Sequence, residues 1–169
     1  MIKLHLLRHA KTNPHSPTGL DFDRELLPRG YEQIAELKNF LKEHPIDPKI
    51  ILCSSAMRTR QTLAELQSLW PSASIRFIDD LYLASKQEIL SEICALQTSD
   101  EMLVVGHNEG LSELAMNLGR PRHLLKTCGF ISIEFPFENS AYISKDTGRI
   151  LAMFRVLWIC HSVSKNRVA

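Results

Sequence analysis

Leu6-Leu7-Arg8-His9-Ala10-Lys11-Thr12 is an apolar run that stops abruptly at an arginine beside a histidine. A parallel α/β sheet binds its ligands beyond the carboxyl ends of its strands, so an Arg-His pair at such a junction faces a ligand and not the core. Two further segments share the punctuation. Ile50-Ile51-Leu52-Cys53 runs into Ser54-Ser55-Ala56-Met57-Arg58-Thr59-Arg60, and Met102-Leu103-Val104-Val105 runs into Gly106-His107-Asn108-Glu109-Gly110. Three strands thus deliver Arg8, His9, Arg58 and His107 to one rim, a donor set suited to a phosphoryl group.

Outward from these junctions, strands alternate with helices. Ile2 to Leu7 reads as a buried strand, and Asn13 to Pro28 as a loop over the strand ends, with Pro14, Pro17 and Gly19 inside it. After Gly30, the residues Tyr31, Ile34, Leu37 and Leu41 recur at helical spacing until Pro45 and Pro48. Lys49 to Cys53 is a strand, and Ala56 to Trp70 a helix with Leu63, Leu66 and Leu69 inward, stopped by Pro71. Ser74 to Ile78, Lys86 to Leu96, Met102 to Val105 and Leu111 to Leu118 continue as strand, helix, strand, helix. This order predicts right-handed crossovers and a mainly parallel sheet. Phe130 to Phe135, Ala141 to Ser144 and Arg149 to Val156 read as strands, the last two joined at Asp146-Thr147-Gly148 into an antiparallel edge hairpin. Ser162 to Ala169 reads as a tail.

The chain has 169 residues, enough for one domain to bury a core without disulfides or metals, and a single domain over 1–169 is expected. Hydrophobic residues make up 44% and charged residues 23%, a composition that favours neither disorder nor a membrane protein. Twenty basic residues against 19 acidic leave no excess to attract nucleic acid, so a basic site must be local. The start, Met1 to Leu7, is too short for the apolar region of a signal peptide, and no later stretch would span a bilayer. Cys53, Cys94, Cys128 and Cys160 are too widely spaced for a zinc knuckle or a redox pair. Free thiols in a cytoplasmic protein are expected; two disulfides in a secreted domain are the alternative.

The three motifs, in this order and each after a strand, resemble those of the histidine phosphatase superfamily. The second motif extends to Gln61-Thr62. The resemblance implies a three-layer α/β/α sandwich of the phosphoglycerate mutase type, His9 as a nucleophile that is phosphorylated and then hydrolysed, and no cofactor or metal. The small size, Ala10 after His9, and Asp23-Arg24-Glu25-Leu26-Leu27-Pro28-Arg29-Gly30 look most like the SixA-like phosphohistidine phosphatase branch. Two departures stand out. Ser54-Ser55 replaces a common Ser-Pro, and the Leu-x-Glu segment that carries a general acid in many phosphomonoesterases of the superfamily falls on Leu81-Tyr82-Leu83. Asp79, Asp80, Glu88 and Glu109 remain as alternative acids.

The residue types suit the reaction. A histidine nucleophile needs a free lone pair, and its ordinary pKa of about 6.5 leaves that near balance at neutral pH. Arg8 and Arg58 should push His9 toward the neutral form while attracting a dianion, and a nearby backbone carbonyl should fix its tautomer. Arg8, Arg58 and His107, with amide groups of the helix after His107, can stabilise the equatorial oxygens in the transition state. Thr12, Asn13 and Asn108 are further phosphate-ligand candidates, although small polar residues after a strand also form turns.

Plainer readings accompany these. Arg60 points away from Arg58 and is structural or at the rim. His5 is structural, since its spacing from His9 on a strand is too wide for chelation. His15, His44, His123 and His161 have no partner pattern. Arg120, Arg122, His123 and Lys126 form a basic cluster that is a solvated loop unless it borders the pocket, where it would engage an acidic partner. Phe130, Phe135, Phe137, Phe154 and Trp158 are packing residues.

An alkoxide leaving group benefits from a positioned acid, by about a hundredfold or more in rate, whereas the imidazole of phosphohistidine is far less basic. An apolar Leu83 therefore favours a phosphoramidate substrate, phosphohistidine on a protein, with inorganic phosphate as product. A phosphomonoesterase for a small phosphorylated metabolite is the enzymatic alternative, and a non-catalytic phosphate-binding module the other. No nucleic-acid or membrane partner is expected.

Overall fold

The computed structural model describes residues 1–156. Its six strands are β1 (Ile2–Arg8), β2 (Ile50–Ser54), β3 (Ser74–Ile78), β4 (Met102–Gly106), β5 (Phe130–Phe135) and β6 (Arg149–Phe154). Its helices are α1 (Pro28–Glu43), α2 (Met57–Leu66), α3 (Lys86–Ala95) and α4 (Gly110–Gly119). The sheet order is β3-β2-β4-β1-β5-β6, with β1 to β4 parallel and β5 and β6 antiparallel.

Period-two alternation sorts the strand residues between two apolar layers. Leu4 and Leu6 of β1, Leu52 of β2 and Met102 and Val104 of β4 face Ile89, Ile93, Leu111 and Leu114 on α3 and α4. Leu7, Ile51, Cys53, Leu103 and Val105 face Ile34, Leu37, Leu63 and Leu66 on α1 and α2. Both sheet faces are covered, which explains why the central strands read as continuous apolar runs. His5 joins the second layer: it is fully buried, stacks on Phe130 at 5.6 Å and pairs through Nε2 with Glu101 at 2.9 Å.

Two sequence expectations need correction. Residues 141–144 form no strand; Ser140–Tyr142 is a 3-10 turn capped by the Asn139 side chain, which accepts the Ala141 N–H at 2.9 Å. Ser140 is buried there and its Oγ accepts the Thr98 N–H, tying the loop to the end of α3. The edge hairpin is instead β5 with β6. Leu69 is 41% exposed, because α2 gives way to a 3-10 turn at Gln67–Leu69 that rotates it outward. Trp70 takes the inward position and donates its ring N–H to the Ile46 carbonyl.

Cys53, Cys94 and Cys128 are free thiols, and burial pushes Cys53 up to about 12, far from thiolate chemistry. Trp158, Cys160, His161 and the proposed tail lie outside the described residues. No described helix is long and apolar enough to cross a membrane.

Candidate active site

The sheet register fixes the backbone of the first motif. Arg8 pairs with Gly106 across β1 and β4, and the His9 N–H donates to the Gly106 carbonyl at 3.1 Å. On the other side the His9 carbonyl accepts from Cys128 N–H at 2.9 Å. His9 and His107 therefore emerge from adjacent parallel strands, and their rings lie 5.4 Å apart. Thr62 joins the second motif to the first, accepting the Ala10 N–H at 3.1 Å and donating to the Arg58 carbonyl at 2.7 Å. Close backbone approach completes the frame. Any Cβ on Gly30 would collide with the Lys11 carbonyl oxygen, so only glycine lets α1 sit this close to the first motif.

A cavity of about 500 Å³ beyond the strand ends is lined by Arg8, His9, Thr12, Arg58, His107 and Asn108, together with Asp21, Arg24 and Leu83. The four side chains on which the reading rests do converge. His9 Nδ1–H donates to the Ala10 carbonyl at 2.8 Å, the backbone acceptor expected, which leaves Nε2 with its lone pair. Its pKa is pushed down to about 3, first by burial and then by the charges of Arg58, Arg8 and Arg24, against the opposing pull of the Ala10 bond. Burial thus outweighs the arginine effect that the sequence suggests.

His107 is likewise pushed down to about 3, by burial and by Arg58 and His9. Its Nε2 lies 2.8 Å from Ser54 Oγ, while its buried Nδ1 has no partner. The buried Arg8 Nε is also unpartnered, and one Arg8 amino group donates to the Leu125 carbonyl at 3.1 Å. Buried polar atoms are normally paired, so two orphans on residues of one cavity mark a place for a ligand oxygen. Arg58 is 3% exposed and donates to the Asp21 carbonyl oxygen at 2.7 Å and to Asp21 Oδ2 at 3.0 Å.

Asp21, Arg24, Tyr82 and Ser54 are the functional candidates that sequence reading missed. Asp21 accepts from Arg58, from Arg24 at 2.8 Å and from the Tyr82 hydroxyl at 2.7 Å. The bonds from Tyr82 and Arg24, with the Arg58 charge, hold its carboxyl well below the usual carboxylate range. Arg24 also donates to Thr12 Oγ1 at 2.8 Å and to the Asn13 carbonyl at 2.6 Å. The Tyr82 ring stands edge-on to His107 at 5.6 Å and lies under the Arg58 guanidinium. The loop that supplies Asp21 and Arg24 carries charges of both signs and no periodicity. Its Pro and Gly content places it over the strand ends but singles out neither residue.

The remaining candidates separate. Thr12 is buried at the cavity wall. Asn13 is turned away, its Oδ1 accepting the His15 N–H in a local turn. Asn108 lines the cavity, but its amide donates to Leu125 and accepts from Ser112. Glu88 closes a capping box with Ser85, and exposed Asp80 and Glu109 are not on the cavity wall. Leu83 is on that wall, 56% exposed. At the start of the next helix, the Leu111 N–H bonds the His107 carbonyl and the Glu113 N–H that of Glu109. Arg60 stacks over the Phe77 ring at 4.5 Å, consistent with a structural role. Arg120 chelates Asp146 and lines a separate hollow with Arg122 and His123, away from the cavity, whereas Lys126, the fourth member of the cluster, lines the groove beside it.

Comparison with known proteins agrees with this geometry. Residues 4–81 match the model of the histidine phosphatase superfamily (branch 1), and these residues include Arg8, His9 and Arg58. The chain belongs to the histidine phosphatase superfamily. An uncharacterised protein of Mycobacterium leprae is 31% identical over 146 residues, covering 82% of this chain and 86% of that protein. Among solved structures, this histidine phosphatase is similar to the candidate phosphohistidine phosphatase SixA of Nakamurella multipartitia. That pair has 26% identity and a TM-score of 0.77, over 90% of this chain and 95% of the other. The SixA candidate of Agrobacterium tumefaciens gives 25% identity and a TM-score of 0.75, over 91% and 98%. The mainly parallel sheet with its antiparallel edge pair is the phosphoglycerate mutase-like fold anticipated from the sequence.

Proposed function

We propose that this phosphatase hydrolyses phosphohistidine on a protein through a phosphoryl group carried transiently on His9. In the first step His9 Nε2 attacks phosphorus in line as the P–N bond to the substrate imidazole breaks. A substrate ring protonated on its far nitrogen departs as neutral imidazole, so the protein need supply no proton. Arg8, Arg58 and the His107 Nδ1–H bind the equatorial oxygens, where transition-state charge is spread. Ser54 donates to His107 Nε2 in this arrangement, which places the His107 proton on Nδ1. Water then attacks phospho-His9, inorganic phosphate is released, and the ring returns to the neutral form with its Nδ1–H still on the Ala10 carbonyl.

One observation carries the choice of substrate. Asp21 is the only carboxylate on the cavity wall among the described residues, and its hydrogen bonds keep it ionised. An ionised carboxylate cannot protonate an alkoxide, and the neighbouring wall position is occupied by Leu83. Both facts favour a leaving group that needs no acid. The SixA likeness supports the same substrate class.

The test is a direct competition between a phosphohistidine protein and a serine phosphopeptide of matched sequence. The expected kcat/KM ratio favours phosphohistidine by about a hundredfold or more, the worth of a missing general acid. Preference for the serine ester would assign the chain to the phosphomonoesterases instead.

A further inference from the structure

A second, larger groove of about 750 Å³ opens directly from the phosphate cavity, and Arg8, Lys11, Asn108 and Thr127 border both. One wall is the amino-terminal half of α1 and the other is the loop at Leu124 to Thr127. The walls are tied to the first motif. Gln33 Oε1 accepts the Lys11 N–H at 2.8 Å while its amide donates to Thr127 Oγ1 at 3.1 Å, and the Leu125 carbonyl accepts from both Arg8 and Asn108. A group bound in the groove is therefore held in fixed relation to the phosphorus.

The charges of the groove are unequally matched. On α1, Arg29 lies between Glu32 at 2.8 Å and Glu36 at 3.2 Å, a set that engages its own cation and leaves that wall with one net negative charge. Lys11 and Lys126 are exposed and have no acidic partner among the described residues. Leu124, on the same loop as Lys126, is 60% exposed on the groove wall. One exposed apolar side chain and two unpaired ammonium groups, bordering a groove continuous with the phosphoryl pocket, complement carboxylates and an apolar contact flanking the phosphorylated residue.

We infer that this groove is the docking site for the protein that bears the phosphohistidine, with Leu124, Lys126 and Lys11 selecting an acidic, partly apolar surface around it. The inference rests on the phosphohistidine reading and adds to it the residues that recognise the carrier. It predicts that recognition is separable from chemistry, because none of the three side chains supplies a proton or binds the transferred phosphoryl group in the mechanism above.

The experiment compares two substrates, a phosphohistidine protein and the phosphoramidate ion, on the wild-type chain and on Lys126→Glu and Leu124→Asp. Both sites are exposed, so the substitutions leave the core untouched. The expected result is a KM for the protein substrate raised about fivefold or more, an unchanged kcat, and unchanged phosphoramidate turnover. Rising salt should also raise the wild-type KM more steeply for the protein than for phosphoramidate. Unchanged KM for both substrates overturns the inference, and so does an equal loss on both, which would make the loop a support of the phosphate site. A wild-type chain that hydrolyses phosphoramidate but not phosphohistidine protein overturns the underlying reading itself, a result distinct from either.

Discussion

Asp21 and Arg58 are locked together at the opening of the phosphate cavity, the guanidinium donating to both the backbone carbonyl and the carboxylate of the one aspartate. Arg58 is buried and comes from the first turn of α2, whereas Asp21 is 43% exposed and comes from the loop between β1 and α1. The carboxylate thus holds the arginine in place and at the same time partly neutralises it. A phosphoryl group entering the cavity meets the same guanidinium from the other side.

The first prediction follows from that double role. Asp21→Asn keeps the shape and the backbone contact to Arg58 but removes a negative charge from the cavity wall. Partly exposed charges at such range interact by roughly 1 kcal/mol after solvent screening, so inhibition by inorganic phosphate should tighten by about fivefold. Phosphate inhibition constants measured at constant salt check this. Weaker inhibition would mean that Asp21 acts only by positioning Arg58.

Ser54→Ala tests the support of His107. Removing the hydroxyl leaves the buried His107 Nε2 without its partner at 2.8 Å and frees the ring to rotate or change tautomer. The cost of an unsatisfied buried group is about 1–3 kcal/mol, so kcat/KM should fall by roughly ten- to a hundredfold. Steady-state kinetics on a phosphohistidine protein would read it. Unchanged kinetics would remove Ser54 from the site.

A pH prediction follows from the two histidines. In the folded protein both rings are held near 3, against about 6.5 in the unfolded chain. Between those values the unfolded chain binds more protons, so stability falls as pH drops from about 6.5 toward 3 and does not change on this account above that window. Urea unfolding at pH 7.5 and 5 should show the loss, and it should be smaller in His9→Gln. NMR of the ring should find His9 neutral and protonated on Nδ1 at both values; a midpoint near 6.5 would contradict the burial argument.

Leu83→Glu addresses the missing acid. The side chain already lies on the cavity wall, and the left-handed backbone there, with φ of 51°, is adopted by a non-glycine residue in the native chain. A carboxylic acid at this place should raise kcat/KM for a serine phosphopeptide by about tenfold or more while changing phosphohistidine hydrolysis little. No gain on the ester would point to an acid already present.

The parts of this molecule that were legible in the sequence are those encoded by local pattern. The continuous apolar runs of β1, β2 and β4 are long enough to identify buried parallel strands, and a cavity residue follows each within a few positions: Arg8 and His9 at the end of β1, Arg58 in the first turn of α2, and His107 directly after β4. Arg8, His9, Arg58 and His107 follow from that punctuation. Residues 141–144 have the apolar and aromatic side chains of a strand, yet the Asn139 cap and the buried Ser140 draw them into a turn, a tertiary preference that no local pattern records. Asp21, Arg24 and Tyr82 were illegible for a related reason. Their significance lies in one another, and Asp21 and Tyr82 are brought together from positions 61 residues apart by a loop without periodicity.

The most direct measurement is of the phosphoryl group on the protein itself. Wild-type chain quenched in alkali within one turnover of a phosphohistidine protein should carry an acid-labile, base-stable phosphate that peptide mapping places on His9. His9→Ala should carry none and should not turn over. Full hydrolysis by His9→Ala, or a phosphate mapped to another residue, would contradict the account.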